Sequence, residues 1–420
     1  MNKKVLIGIL VVVVGISAIG LTYFLSRANQ PKEYLLTVSN GAIYRISADG
    51  KEIKELGESM DGEVQVYSFS PDGKKILFSY RPFYKFQATS LWIMDSDGIN
   101  REKLIDAIDD GFADAYFSKD GQKILFRTAI NKNIESSETS LTIYSLWMMN
   151  LDGSNRKKLI DGTNESAEGV SFSPDGRKIL LLINETAPTK TLQKIESLDS
   201  YSFWIMDSYG NNKKNLGVTA KGYIWNISFS SNGEEILFIA ANSEGKSLWM
   251  MDSYGNNRKK ITGGANTEVY EARFSPDGNK IYFVTEETKP EPGYSSWYLW
   301  VENIDGTGKK NLTEDINENS IYFSISSDGN RIAFLVASSS DERSLWIMNP
   351  DGTDKKNLMG ETRGIWISDS SFSPTGKEIL LNDSSTWVVN LDGRRKIDLD
   401  KATGMDLSPG YTMWFPQKQE

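Results

Sequence analysis

From residue 34 onward, apolar and polar positions alternate in short runs, and most runs close on a glycine-bearing turn. A two-residue period is the mark of a half-buried strand. Phe69 to Tyr80, FSPDGKKILFSY, shows the unit: a strand end, a Pro-Asp-Gly turn and a second apolar strand. Asp-Gly between apolar runs predicts a hairpin, because these residues tolerate the positive φ that the turn requires. The phrase returns as FSKDGQKILF at Phe117, FSPDGRKILL at Phe172, FSSNGEEILF at Phe229 and FSPDGNKIYF at Phe274. Looser copies are ISSDGNRIAF at Ile325 and FSPTGKEILL at Phe372.

A second phrase follows each copy, such as SLWIMDSDGINREKLI from Ser90 and SLWMMDSYGNNRKKIT from Ser247. The units start 45 to 57 residues apart, the scale of one four-stranded propeller blade. Strand A ends in FS, the Asp-Gly turn leads to strand B, a variable loop leads to strand C, and a second turn leads to strand D. Seven of the 11 tryptophans hold one place in strand C: Trp92, Trp147, Trp204, Trp249, Trp300, Trp346 and Trp387. That regularity predicts packing between blades rather than ligand contact.

The ends complete the pattern. Tyr34 to Leu56 reads as strands B, C and D with no A phrase, and Gly404 to Phe415 as an A-like phrase alone. Joined, they make one split blade, so the expectation is an all-β propeller of eight four-stranded antiparallel blades with no open sheet edge. If the terminal strands instead extend their neighbours, the count is seven.

The phrases FSPDG and W-M-D-x-D-G resemble the TolB-type β-propeller repeat, a WD-like family, over nearly all of residues 34–415. The resemblance implies a β-propeller fold and leaves several functions open. Similar propellers serve as interaction platforms in cell envelopes, as gating domains of peptidases and as parts of polysaccharide-active proteins. Fold alone does not imply function. The hydrolase domain of the peptidase relatives has no counterpart in this sequence.

The N-terminus breaks the strand pattern. Val5 to Leu25 carries no charge, about the length of a membrane-spanning helix. Lys3 and Lys4 would keep the N-terminus in the cytoplasm and place the propeller outside it. The expected organisation is a stub and single-pass signal-anchor over 1–27, a linker over 28–33, the propeller over 34–415 and a tail over 416–420. The alternative is secretion after signal cleavage, since Ser26-Arg27-Ala28 has small residues at suitable spacing.

Composition narrows the chemistry. The chain has no cysteine and no histidine. That excludes disulfides, thiolate metal sites, a lipoprotein anchor, the Ser-His-Asp triad and His-ligated metals. A net charge of −9 argues against nucleic acid as a partner. DSDGIN at Asp95 looks like part of a calcium loop, but equivalent turns read DSYGNN, with Tyr209 and Tyr254 in place of the second acid. No metal, cofactor or catalytic residue is therefore expected.

Strand direction puts the A–B and C–D turns on one face and the B–C and D–A loops on the other. The longest and most variable loops are B–C, so the loop face is where binding is expected. Aromatics outside the repeat gather there: Phe112, Tyr223, Trp225, Tyr270 and Trp366. Three residues before the strand-A Phe, four units carry Asp114, Asn226, Glu271 and Asp369. Aromatics with carboxylates suit sugars, peptides or a basic loop of a partner. The expected role is a non-enzymatic scaffold at the cell surface, binding an envelope or cell-surface protein, a peptide or a glycan. The alternative is a glycan-degrading propeller using a pair of those carboxylates.

Overall fold

The computed structural model describes residues 32–83, 89–108, 111–133, 140–163, 165–185, 200–264, 266–288, 295–316, 319–337, 342–360, 362–363, 369–382, 385–407 and 412–416. The expected anchor, residues 5–25, lies outside them. Among the described residues no helix is long and apolar enough to cross a membrane.

Eight antiparallel sheets form the ring, each with four strands in simple A-B-C-D order. Blade 1 is Gly62–Phe69, Lys75–Pro82, Thr89–Asp95 and Glu102–Ile108. Blades 2 to 7 cover 111–160, 166–221, 223–263, 267–311, 319–363 and 369–398. In blade 6 the two-residue strand Thr362–Arg363 pairs with the start of strand C as well. Blade 8 is the split one. Its inner strand, Met413–Trp414, pairs with Tyr34–Ser39, followed by Ala42–Ser47 and Ile53–Glu55. The eight-bladed, self-closing ring is the arrangement the sequence predicts.

Each hydrophobic cluster fills the seam between two consecutive blades. Blades 3 and 4 share Leu180, Leu182, Phe203, Ile236 and Phe238. The other clusters repeat this around the ring, including the seam of blade 8 with blade 7 through Leu35, Ile46, Leu380 and Val388. Strand-B side chains such as Ile76, Leu77 and Phe78 are fully buried because both faces of each sheet are covered. No blade buries its apolar surface alone, so closure of the ring is itself a stabilising interaction.

The strand-C tryptophans sit half-buried in these seams, each against the preceding blade, as with Trp249 at the seam of blades 3 and 4. Five of their indole N–H groups, those of Trp92, Trp147, Trp204, Trp300 and Trp346, donate to strand hydroxyls, for example Trp92 to Ser90 Oγ at 2.8 Å and Trp204 to Ser202 Oγ at 2.8 Å. A basic side chain from the end of the C–D turn, just before strand D, covers the ring: Lys213 over Trp204 at 4.6 Å and Lys309 over Trp300 at 5.0 Å. The repeated tryptophans are therefore packing residues with cationic lids.

The Asp-Gly turns repeat one hydrogen-bond pattern. Ser70 Oγ donates to Asp72 at 2.6 Å, Asp72 accepts from Lys74 N at 3.1 Å, and Ser70 Oγ accepts from Lys75 N at 2.9 Å. Gly73 takes φ +68°, which an L side chain rarely adopts. The Ser70 hydroxyl, with the Lys74 amide, holds the Asp72 carboxyl below the usual range. The same pattern recurs at Asp120, Asp175, Asp277 and Asp328. These turns are self-satisfied, with no remaining demand for an ion or phosphate.

On the same face, strand-D lysines reach to the next blade. Lys54 donates to Asp97 O at 2.9 Å, Lys259 to Ile304 O at 2.9 Å and Lys310 to Asp351 O at 2.6 Å. Each lysine caps the C–D turn of its neighbour and ties adjacent blades at their outer rim.

Candidate functional site

The loop face departs from this regularity. In six blades strand A carries a register shift: at Val66/Ser68, Phe112/Asp114, Ala167/Gly169, Trp225/Ser228, Val269/Glu271 and Ser320/Tyr322. A bulge inserts an extra residue, twists the strand and re-aims a side chain, and bulges concentrate at barrel rims and binding sites. Here they stand around the central axis. Asn226, at the bulge of blade 4, has φ +55°.

An aromatic row crosses blades 3 to 5 on this face. Tyr201 meets Tyr223 edge-on, with ring centroids 6.2 Å apart. Tyr223 then packs on Trp225 at 5.7 Å. The Trp225 indole N–H donates to Tyr270 O at 3.3 Å, and the Tyr270 ring lies 4.3 Å from that of Trp297. Tyr223 is 61% exposed, so one member of the row presents much of its ring to solvent. It follows directly on Gly222, whose φ of +120° turns the chain from strand D of blade 3 into strand A of blade 4.

The polar groups around the row are matched within the chain. Lys246 lies 2.7 Å from Glu268, and its ammonium stands 3.6 Å from the Tyr270 ring centre. The Tyr270 hydroxyl donates to Glu286 at 2.6 Å, with Glu268 also 3.0 Å away. Burial, followed by these two carboxylates, drives the phenol well above its ordinary pKa. Lys246 holds Glu268 below the usual carboxylate range.

The acids singled out by sequence are similarly engaged. Asp114 faces Arg127 across strands A and B of blade 2, and Arg127 Nε approaches both carboxylate oxygens at 3.0 and 2.9 Å. Arg127 Nη1 continues to the carbonyls of Ala167 and Glu168 in blade 3, each at 2.8 Å, and its guanidinium lies 4.8 Å from the Tyr144 ring centre. Glu271 pairs with Arg273 at 2.7 Å. Asn226 Oδ1 accepts from Ala272 N at 3.2 Å and so links blades 4 and 5. Phe112 is only 8% exposed and packs on Phe126. Trp366 lies outside the described residues, as does the side chain of Asp369.

The structure thus joins Tyr223, Trp225 and Tyr270 in one row and adds Trp297 and Lys246 beside it, with Tyr201 buried against Tyr223; sequence reading missed these three. Trp297 does carry a signal: it is a tryptophan in strand C of blade 5 three residues before the periodic Trp300. Arg127 carries one too, as a lone charge in the apolar run ILFRTAI.

Two other sites offer less chemistry. A cleft of ≈ 850 Å³ opens on the turn face between blades 7 and 8. Its charges are largely matched inside the chain: Arg395 with Glu378, Lys32 with Glu52, and Glu33 with the Thr375 amide. Glu302 is pushed up by burial, but it lies at the turn end of blade 5, away from the aromatic row. Among the described residues no group of acids could hold a metal ion.

Comparison with known proteins agrees with this fold. Residues 180–342, from strand B of blade 3 to the start of strand C of blade 6, match the dipeptidyl peptidase IV (DPP IV) N-terminal region. No curated protein sequence matches. Among solved structures, dipeptidyl peptidase 4 of Porphyromonas gingivalis superposes with a TM-score of 0.62 at 15% identity, covering 87% of this chain and 57% of that one. An oligogalacturonate lyase in complex with manganese gives 0.55 at 13% identity, covering 84% and 93%. TolB of Acinetobacter baumannii is a weaker neighbour, 0.39 at 16% identity over 85% and 82%. Likeness at this identity speaks for the propeller fold alone.

Proposed function

We propose that this chain is a non-enzymatic binding scaffold, tethered to the cell membrane through residues 5–25 with its propeller outside the cytoplasm. It recognises an envelope or cell-surface protein, peptide or glycan through the aromatic row of blades 3 to 5. The observation that carries this reading is the row itself, an exposed Tyr223 backed by Trp225 and continued by Tyr270 and Trp297. Rigid rings of this kind supply contact area at small entropic cost. Engagement of Asp114 by Arg127 and of Glu271 by Arg273 argues against the carboxylate-pair chemistry of the alternative.

The test is cross-linking capture from native membranes with the full chain, comparing wild type with Tyr223→Ala and Trp297→Ala. The expected result is a specific partner lost from both variants while their melting temperatures stay unchanged. Undiminished capture by both variants removes the row as the binding surface. Turnover of any polysaccharide by the wild type, abolished by Asp114→Asn or Glu271→Gln, would instead establish the enzyme.

A further inference from the structure

The turn face carries a second surface, and chain direction says what lies beneath it. Strand Tyr34–Ser39 is strand B of blade 8 and starts at the turn face, so the segment from Lys32 backward leaves the ring on that side. Only eight residues, Ser26 to Glu33, separate it from the apolar run ending at Leu25. Fully extended they reach ~28 Å at most, close to the ~25 Å height of an eight-residue strand. A tether this short holds the turn face toward the bilayer and the aromatic row away from it.

Blades 3 and 4 stand half a turn of the ring from blade 8, and their C–D turns differ from the repeat. Where other blades place an acid at the turn tip, these carry Tyr209 and Tyr254, 54% and 64% exposed. Basic residues follow at once, Lys213-Lys214 and Arg258-Lys259-Lys260, while Asp207 and Asp252 sit half-buried at the turn base and accept backbone N–H groups. Lys213 and Lys259 are half-buried and engaged by Glu165 and the Ile304 carbonyl, which leaves Lys214, Arg258 and Lys260 exposed beside the tyrosine tips. Tyrosines beside exposed cations match the headgroup layer, where amphipathic rings and basic side chains both settle.

We propose that the C–D turns of blades 3 and 4 form a contact site for an anionic lipid bilayer, opposite the tether, so that two supports seat the turn face flat on the membrane. This rests on the tethered reading. Because the chain has no cysteine, single labels can be introduced cleanly. Full-length Tyr254→Cys and Tyr223→Cys would carry a fluorophore in vesicles of phosphatidylcholine with phosphatidylglycerol, quenched by headgroup-spin-labelled lipid. The expected result is several-fold stronger quenching at position 254 than at 223, reduced by Arg258→Gln with Lys260→Gln and by vesicles lacking phosphatidylglycerol. Equal quenching, or stronger quenching at 223, overturns the proposal. Alkaline carbonate extraction reports the tether separately. A protein released by carbonate but still quenched at 254 on anionic vesicles keeps the lipid site and loses the tether. An embedded protein without that quenching does the reverse.

Discussion

Replacing Arg127 with Met tests whether Asp114 is architecture or ligand site. The Arg127 side chain is 15% exposed and that of Asp114 17%, so the pair is largely buried. The substitution strands Asp114 without its cation and leaves the carbonyls of Ala167 and Glu168 without their shared donor. Removing one member of a buried pair costs about 3–5 kcal/mol, and residual solvent favours the lower end, about 3 kcal/mol. A propeller of roughly 380 residues gains about 0.8 kcal/mol per kelvin of entropy on unfolding, so the melting temperature should fall by about 4 °C. Circular dichroism at several scan rates measures this and separates equilibrium from kinetic effects. Adding Asp114→Leu should recover about 1 kcal/mol or more, because an apolar pair strands no charge. If Arg127→Met melts within about 1 °C of wild type, the pair is not structural, and Asp114 returns as a candidate for ligand contact.

Three further outcomes follow from the same geometry. Gly222→Ala would place a Cβ 1.8 Å from Ala241 O at φ +120°; it should destabilise by about 2 kcal/mol or more and weaken partner capture by displacing Tyr223. Removing the strand Met413–Trp414 deletes the bond from the Trp414 indole N–H to Ser371 O at 3.2 Å and exposes a sheet edge; unfolding followed by fluorescence and by circular dichroism should cease to coincide, and coincident curves would show that closure is dispensable. The turn carboxyls Asp72, Asp120, Asp175 and Asp277 are held below their unfolded pKa, each chiefly by its turn serine. Their stabilisation is therefore complete above about pH 4 and lost as pH falls through the lower folded values. Melting temperature against pH should show that acid limb, and Ser70→Ala with Ser118→Ala and Ser173→Ala should flatten it.

What the sequence made legible is what is local and repeated. Ser70-Pro71-Asp72-Gly73 closes its hairpin with its own atoms, so seven copies announce seven hairpins. The split blade was visible because each end lacks what the other supplies. The partners of the candidate acids were less visible, since Arg127 meets Asp114 only through strand pairing and meets blade 3 only through closure of the ring. The bulges were hidden for a related reason. A residue inserted in strand A alters register against strand B, and nothing in FADAYF or VYEARF alone marks Ala113 or Tyr270 as the extra residue. The lids over the strand-C tryptophans fall between these cases: the basic residues recur after each C–D turn, but their folding back over the rings depends on the D strand lying beside C.

The split blade also decides how the molecule bears a load. If a partner pulls on the loop face while the tether holds residue 32 on the turn face, tension runs along the strand Tyr34–Ser39. That strand is hydrogen-bonded on both sides, six residues in register with Ala42–Ser47 and two with Met413–Trp414. Force along its axis must break those bonds together, in shear, rather than one at a time as in unzipping from an edge. Under that tethering, the blade assembled from both ends of the chain would be the one through which mechanical stress enters, and its pairing geometry would resist that stress in its strongest direction.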